Sequence, residues 1–225
     1  MMIMKTMTMI SDISLHHLLP RAFEGVDIGH SDVWLTDLTF HRGRSYLISA
    51  ESGRGKTSLC AYLYGQRTDF SGTLTLHDDS GRAVALDRKS LPRLRQSSLA
   101  LMPQDLRIFP ELTPVENVML KVQLTRTVSE DRVRQLLCEL GLSDRLSQPC
   151  ARISTGQQQR VAFVRMLCQP ADFCLLDEPV SHLDEANAQV MSQLLADKQQ
   201  HEDCAVLVTT IGHTLPFAYD SELRL

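Results

Sequence analysis

A glycine-rich stretch, AESGRGKTS at residues 50–58, carries the clearest chemistry in this sequence. It matches the pattern G-x-x-x-x-G-K-[ST] except at its first position, where Ala50 replaces glycine. Its two glycines lack a Cβ, so the backbone can wrap closely around a phosphate group and turn its N–H groups inward. Lys56 adds a positive charge near the terminal phosphates, and the Thr57 hydroxyl can ligate Mg²⁺. The stretch predicts a phosphate-binding loop; the alternative is a glycine-rich turn with a chance lysine.

Two carboxylates follow an apolar run in FCLLDEP, at residues 173–179. An uninterrupted apolar run of this length is typical of a central parallel strand that is buried on both faces. Because α/β sheets bind ligands at the carboxyl ends of their strands, Asp177 is placed to hold Mg²⁺, directly or through water. Glu178 comes next and can orient or deprotonate an attacking water. Taken alone, the pair also fits two surface acids after a strand.

Three polar turns complete the candidate residues. Gln104 follows a short apolar run, and its neutral amide can both donate to a phosphate and accept from a water. In ISTGQQQR, residues 153–160, Ser154 and the glycine behind it offer a hydroxyl and free N–H groups at a helix start, where anions bind. SHLD, residues 181–184, is an acidic turn after the carboxylates, and Asp184 can also cap a helix. Each turn is ordinary by itself, so the inference depends on their occurring together.

The elements that must hold these residues alternate between apolar strands and amphipathic helices. Period-two patterns and apolar runs predict strands at residues 13–19, 33–40, 45–49, 98–102, 173–176 and 205–208. Helical periodicity and capping signals predict helices at 57–64, 113–124, from the capping box Thr127-x-x-Glu130 to Gly141, at 154–168 and after Asp184. A turn at 77–82 predicts a hairpin between 73–76 and 83–86. The order predicts an α/β fold with a mainly parallel sheet, an antiparallel β flank and an α-helical subdomain.

Composition limits the classes of function. The chain has 225 residues, of which 43% are apolar, and this suits one domain with a real core. A net charge of −4 and a pI near 6.0 indicate no excess of basic residues, so nucleic acid is not an expected partner. Six cysteines without a C-x-x-C pair predict buried, reduced thiols. No run of roughly 18 apolar residues occurs and the methionine-rich start lacks signal-peptide features, so we expect membrane association only through a partner.

In order and spacing, these stretches resemble the nucleotide-binding subunit of an ATP-binding cassette (ABC) transporter. AESGRGKTS resembles its Walker A loop, CLLDEP its Walker B, MPQD its Q-loop, ISTGQQQR its signature LSGGQ and SHLD its D-loop. The resemblance extends from about residue 13 to residue 210 and implies a single ABC ATPase domain of the P-loop NTPase fold over residues 1–225. It implies a RecA-like core at about residues 1–103 and 169–225, with the helical subdomain at about 104–168.

The resemblance also implies a mode of action. Two copies, or one copy and a similar ATPase subunit, would pair head to tail, so that ATP on one protomer is capped by the signature turn of the other. The pair would lie in the cytoplasm on the inner face of the membrane and drive separate membrane-spanning transporter subunits. The implied ATP contacts are Phe23, as a base-stacking aromatic, and Ala50, Glu51, Ser52, Gly53, Arg54, Gly55, Lys56, Thr57, Ser58, Ser154, Gly156 and Gln157. The implied Mg²⁺ ligands are Thr57, Gln104 and Asp177, and the implied catalytic residues are Glu178, Gln104 and Lys56.

Four positions depart from the family pattern. Ala50 replaces the first glycine of the loop, Thr155 the first glycine of the signature pair, and Val180 the usual threonine after Walker B. Thr210 replaces the histidine of the family's V-T-H, and His213 follows three residues later, so either the histidine is missing or it is relocated. Thr155 and Thr210 favour the alternative of a slow or degenerate ABC ATPase that acts as an ATP-dependent dimerisation or regulatory module. The intact loop lysine and Walker B carboxylates favour ATP hydrolysis coupled to transport.

Apolar residues directly after the Q-loop carry one more expectation. Leu106, Phe109, Pro110 and Leu112 lie in a predicted loop. They form either a surface for the membrane partner or part of the core of the helical subdomain.

Overall fold

The computed structural model describes residues 9–225. Residues 1–8, which hold most of the methionine-rich start and where no signal peptide is expected, lie outside the described part. Within residues 9–225, no helix combines the length and the apolar character needed to cross a membrane.

Strands and helices alternate along most of the described chain. The strands are β1 (Ile10–Pro20), β2 (Asp37–His41), β3 (Ser45–Ser49), β4 (Phe70–Asp78), β5 (Ala83–Val84), β6 (Leu99–Met102), β7 (Phe173–Asp177), β8 (Ala205–Thr210) and β9 (Ser221–Arg224). The α-helices are α1 (Lys56–Leu63), α2 (Leu91–Ser97), α3 (Pro114–Thr125), α4 (Glu130–Glu139), α5 (Thr155–Leu167) and α6 (Glu185–Glu202). Short 3₁₀ turns lie at Arg21–Phe23, Ser143–Arg145 and Cys150–Arg152.

Five strands form a parallel sheet in the order β6-β7-β8-β3-β9. β7 is buried along its whole length, as its apolar sequence predicts. Its side chains alternate between two cores: Cys174 and Leu176 pack with α3 to α6, whereas Phe173 and Leu175 pack with α1 and β1. Helices therefore cover both faces, and the carboxyl ends of β3, β6, β7 and β8 share one edge. The predicted mainly parallel α/β fold is confirmed.

The antiparallel flank is a second sheet with the order β2-β1-β4-β5. β1 is its centre and pairs with β2 on one side and with β4 on the other. The predicted hairpin is β4 with β5, in which Leu76 pairs with Val84, although β5 has only two residues. Ile13, Leu15 and Phe40 of this sheet pack in the same core as α1.

Three helices, α3 to α5, follow one another without an intervening strand and pack on one another. Thr113 begins α3 with a capping box, and Ser154 begins α5 with another. The predicted capping box at Thr127 is wrong. α4 is capped by Ser129, whose side chain accepts from the N–H of Arg132, because Glu130 is the first residue of that helix rather than its third.

The strand predicted at residues 33–40 begins only at Asp37. Leu35 adopts a left-handed conformation with φ of 61°, and the Thr36 hydroxyl donates to the carbonyl of Asp32, so the preceding residues form a turn. Buried Val33 and Trp34 gave the turn its strand-like pattern. β9 and α2 were not predicted, because the short polar SELR and the proline in LPRLRQS carry weak signals.

All six cysteines are free. Five of them are buried, as predicted, whereas Cys138 lies exposed on α4.

Candidate functional site

Four loops meet at the carboxyl edge of the parallel sheet. The glycine-rich loop follows β3, and the Walker B-like carboxylates follow β7. In register, Ser49 pairs with Thr210 and Asp177 with Thr209, so these chain segments end side by side. Gln104 follows β6, which is the neighbour of β7. The edge thus gathers residues from distant parts of the sequence, as expected for an α/β ligand site.

The glycine-rich loop has the backbone that close approach to an anion needs. Gly53 and Gly55 have φ of 81° and 93°, which L side chains rarely adopt. Ala50 has no positive φ, so its replacement of the first glycine introduces no strain. α1 begins at Lys56, so the first free N–H groups of this helix belong to the same loop.

The Lys56 side chain is 5% exposed and lies across its own loop. Its ammonium donates to the carbonyls of Ala50 at 3.0 Å and Glu51 at 2.9 Å. The Glu178 carboxylate is 3.9 Å away. Burial lowers the pKa of Lys56, and the charges of Glu178 and Asp177 oppose this by raising it. The loop therefore holds one desolvated cation beside two carboxylates.

Gln104 bridges the two sides of the site. Its Oε1 accepts from the Thr57 hydroxyl at 3.2 Å, and its Nε2 donates to Glu178 Oε2 at 3.4 Å. The side chain thus spans from the helix after the loop to the carboxylate after β7. A neutral amide can hold both contacts because it donates from one end and accepts at the other.

Asp177 has an oxygen without a protein partner. Its Oδ1 accepts from the Thr209 hydroxyl at 2.6 Å, whereas its buried Oδ2 has no hydrogen-bond partner among residues 9–225. A buried unpaired acceptor calls for an explanation, and a bound ion is one of the usual ones. Asp177 also lines a cavity of about 420 Å³ with Thr57 and Gln104. These three side chains offer the oxygen ligands that suit Mg²⁺.

Glu178 is held in an unusual backbone conformation. Its φ is 52°, in the left-handed region that few non-glycine residues enter. Its N–H donates to the carbonyl of Thr209 at 3.0 Å, and this bond fixes the turn at the end of β7. Such strain persists only where surrounding structure enforces it, and it concentrates at active sites. The carboxylate is consequently directed toward Lys56 and Gln104.

The signature-like turn forms a separate, exposed group. Ser154 and Gln157 satisfy each other in the capping box of α5, and both keep solvent access. Thr155 is exposed, so its extra bulk meets no protein neighbour that forbids it. A Cβ on Gly156 would lie 2.5 Å from the backbone oxygen of His182, so only glycine fits there. The turn is therefore packed directly on the D-loop-like segment.

Gln159 joins these segments to the carboxylates. It is buried, its Nε2 donates to the backbone carbonyl of Glu178 at 3.1 Å, and its Oε1 accepts from the N–H of His182 at 3.2 Å. A movement of α5 would consequently shift or break this bond to the backbone of Glu178.

Phe23 lies beside the phosphate-binding loop at the end of a 3₁₀ turn. A Cβ on Gly55 would be 3.0 Å from its ring and 3.1 Å from the ring of Trp34. Trp34 is buried and donates from Nε1 to the carbonyl of Arg54 at 3.1 Å. Both aromatics line a cavity of about 260 Å³ with loop residues. Sequence reasoning missed Trp34, because its segment has the pattern of a strand.

Arg165 is the second residue that sequence reasoning missed. From α5 it donates to the carbonyls of Leu106 and Arg107, two consecutive left-handed residues just after Gln104. Burial lowers the pKa of Arg165. Its signal in the sequence is only one arginine on an otherwise apolar helix face.

Because Thr210 stands where the family pattern has histidine, the end of β8 carries a hydroxyl instead of an imidazole. The Thr210 hydroxyl donates to the carbonyl of His213 at 2.7 Å and accepts from the N–H of Gly212 at 3.1 Å. His213 therefore contacts this turn through its backbone, and its side chain is exposed.

The apolar residues after the Q-loop divide between the two expectations. Leu106 is buried in the core that includes α3 to α5. Phe109 is 48% exposed and Pro110 beside it is exposed as well, so these two residues offer apolar surface to solvent.

Comparison with known proteins agrees with this geometry. Residues 35–181 match the family model for ABC transporters. The chain is 32% identical over 192 residues to the lipoprotein-releasing system ATP-binding protein LolD of Hydrogenovibrio crunogenus, covering 84% of this chain and 83% of that protein. It is also 32% identical over 191 residues to LolD of Pseudomonas syringae pv. tomato, with the same coverage.

Solved structures show the same fold. The dimeric structure of MJ0796, a bacterial ABC transporter cassette, matches with a TM-score of 0.72 and 21% identity over 94% of both chains. A dimeric post-hydrolysis state of the same cassette, bound to ADP and Pi, has a TM-score of 0.71 and 21% identity, over 88% of this chain and 87% of that one. The chain belongs to the ABC transporter family, in which it is an ATP-binding subunit with the fold and activity of an ABC ATPase.

Proposed function

We propose that ATP binds with its phosphates on the loop at residues 50–58 and is hydrolysed beside Glu178, to drive separate membrane-spanning subunits. The contact series from Thr57 through Gln104 to Glu178, next to the buried Lys56 ammonium, is the observation that carries this proposal. The test is ATP turnover by the purified subunit with its membrane partner.

Each residue has a distinct role in this proposal. Lys56 exchanges its two loop carbonyls for phosphate oxygens, because its ammonium is already desolvated at the loop. Thr57, Gln104 and Asp177 hold Mg²⁺, which would supply charge neutralisation on the phosphates. Glu178 accepts a proton from the attacking water, and Gln104 orients that water through its amide. Phe23 gives an aromatic face to the base.

The signature turn serves the partner's nucleotide in a head-to-tail dimer. Ser154, Gly156 and Gln157 lie on a turn that keeps solvent access, and the side chains of Ser154 and Gln157 bond within this turn. A helix N-terminus with free N–H groups binds an anion, here the terminal phosphate on the other protomer. Dimer formation then depends on ATP. Both structural neighbours are dimers, which supports the pairing of two cassettes.

We also propose the subunit boundaries and the partner surface. Residues 104–168 form the helical subdomain, and residues 1–103 with 169–225 form the RecA-like core. Phe109 belongs to the surface that contacts the membrane subunit, because it is exposed and lies five residues after Gln104. This placement would let the partner act on the site through the Q-loop and would hold the subunit peripherally on the inner face of the membrane.

The relatives suggest a substrate class. Both curated relatives described above are named for lipoprotein release. We propose that the transporter driven by this subunit extracts a lipid-anchored protein. Reconstitution with the co-purified membrane subunit, and release of a fluorescent lipoprotein from vesicles with ATP, tests this step separately from hydrolysis.

Ser154→Arg is expected to abolish ATP-dependent dimerisation while leaving ATP binding by the monomer intact. The long charged side chain would block closure over the partner's nucleotide. Ser129→Arg is the matched control, because Ser129 is also an exposed N-cap that accepts from a backbone N–H and its loss weakens α4 similarly. Size-exclusion chromatography with ATP and calorimetric titration give the two readouts. Loss of ATP affinity in the Ser154 variant would place this residue in its own protomer's site.

His213→Ala is expected to leave ATP turnover unchanged, because His213 contacts Thr210 only through a carbonyl that alanine retains. Thr210→His should raise turnover by placing an imidazole next to Thr209, whose carbonyl holds Glu178. Thr210→Ala controls for the lost hydroxyl. If His213→Ala stops hydrolysis instead, the relocated histidine is the catalytic one. The relocated histidine also predicts that Thr210→His gives no gain in turnover.

A further inference from the structure

Two adjacent histidines of β1, His16 and His17, lie on the same side of the antiparallel sheet. Successive residues of a strand ordinarily point to opposite faces. Here the pairing of β1 with β4 shifts between His16 and Leu19, and His17 has a φ of 46°, so the strand bulges. Both histidines are exposed, and their ring centroids are 4.6 Å apart in an edge-on arrangement.

Each imidazole has one nitrogen already occupied. His17 Nδ1 is 2.9 Å from the carbonyl oxygen of Leu35. Because a carbonyl only accepts, Nδ1 carries the proton and Nε2 keeps a free lone pair. His16 Nδ1 contacts the Asp37 carboxylate, and a metal ion held by these two groups would replace the proton between them. His17 thus shows the pattern of metal-binding histidines, in which the second ring nitrogen donates to a carbonyl or a carboxylate.

The backbone around the histidines is fixed from two sides. His17 N–H donates to the carbonyl of Thr36, and Leu35 N–H donates to that of Leu18, each at 3.0 Å. On the other side, a Cβ on Gly72 would lie 2.3 Å from the backbone oxygen of His17, so β4 packs tightly under the bulge. The two rings are therefore positioned by the fold before any ligand arrives.

We propose that His16, His17 and Asp37 form a surface site for a divalent transition-metal ion, with Zn²⁺ as the representative. One ligand atom from each of the three residues lies within 4.8 Å of the others, and no other such His, Cys, Asp or Glu group occurs in residues 9–225. Two imidazoles and a carboxylate suit Zn²⁺, Ni²⁺ or Cu²⁺ rather than Mg²⁺, which prefers oxygen ligands. Water completes the coordination, since all three residues are exposed.

Metal bound here would fasten the end of β1 to the start of β2. The segment between them carries Phe23 and Trp34, whose rings lie against Gly55 of the phosphate-binding loop. The ligands come together only in the folded chain, where His16 on β1 pairs with Asp37 on β2. Zinc should therefore raise the melting temperature, as does any ligand that binds only the folded state.

The test uses the full-length, tag-free and nucleotide-free protein with Cys138→Ser, which removes the exposed thiol. Zn²⁺ is titrated against a chromogenic chelator, and melting temperature is measured with and without Zn²⁺. The variants are His16→Gln and His17→Asn, because asparagine tolerates the left-handed backbone at that position. His41→Ala is the matched control, since His41 contacts Asp12 across the same two strands.

We expect one zinc ion per chain, with affinity weakened about tenfold or more in both variants. His41→Ala should bind as the parent protein does, and zinc should raise the melting temperature only where binding is retained. If the parent shows no saturable binding, or if both variants bind as tightly as the parent, the site does not exist. Should His17→Asn fail to fold, His16→Gln decides the outcome.

Discussion

Glu178→Gln is expected to reduce ATP hydrolysis by roughly 10²–10⁴-fold while ATP binding persists. The amide has nearly the same shape as the carboxylate but cannot accept the proton of an attacking water. Glutamine can also keep the contact with Gln104, whose Nε2 donates to Glu178 Oε2. The variant should therefore hold ATP in an intact site and accumulate as an ATP-bound dimer.

Binding should be at least as tight as in the parent protein. The Glu178 carboxylate lies 3.9 Å from the Lys56 ammonium, where it competes with a phosphate for that charge. Replacing it removes one negative charge from the position next to the incoming polyanion. The affinity for ATP should then rise or stay the same, whereas turnover falls.

The measurement pairs phosphate release under saturating ATP with size-exclusion chromatography. Glu185→Gln is the control, because this exposed acid lies seven residues later in the first turn of α6. It should leave both readouts unchanged. Hydrolysis at the parental rate in Glu178→Gln would mean that another group is the base, and the assignment of the site would then be wrong.

The parts of the site that the sequence could predict are those where chemistry fixes residue type and spacing. The phosphate-binding loop needs glycine at positive φ and a lysine directly behind, so Gly53, Gly55 and Lys56 stand out without a structure. β7 was equally predictable from the sequence, because a strand buried on both faces needs an uninterrupted apolar run. Helix caps at Ser154 and Asp184 followed from local hydrogen bonding and were confirmed.

The parts that the sequence could not predict depend on contacts between distant segments. Trp34 lies beside the glycine-rich loop only because the turn before β2 folds against Arg54. Arg165 donates to two carbonyls almost sixty residues away in the sequence. The residues that carry these carbonyls have left-handed φ values, which no local sequence pattern predicts. The bulge that pairs His16 with His17 likewise arises from close packing on β4. Long-range packing overrides local propensity at each of these positions.

Lys56→Met is expected to weaken ATP binding by roughly 10- to 100-fold, because a charged hydrogen bond contributes about 1.5–3 kcal/mol. Methionine keeps the length of the apolar stem but carries no charge. The folded state loses two bonds to the Ala50 and Glu51 carbonyls. It also no longer has to desolvate an ammonium, and burial is the main reason that the pKa of Lys56 is lowered. These effects oppose each other, so the melting temperature without ATP should change little.

Lys198→Met is the control for which we expect the opposite result, a lower melting temperature with unchanged ATP affinity. Lys198 is as buried as Lys56, but its ammonium contacts Glu202 and the carbonyl of Gln169 at 2.7 Å each, away from the phosphate-binding loop. Its loss leaves that carbonyl without its charged donor and should cost about 1–3 kcal/mol of folding free energy, which lowers the melting temperature by several degrees. ATP affinity should stay at the parental value. If Lys56→Met instead destabilises the protein and binds ATP normally, Lys56 is a structural lysine like Lys198, and ATP binds elsewhere.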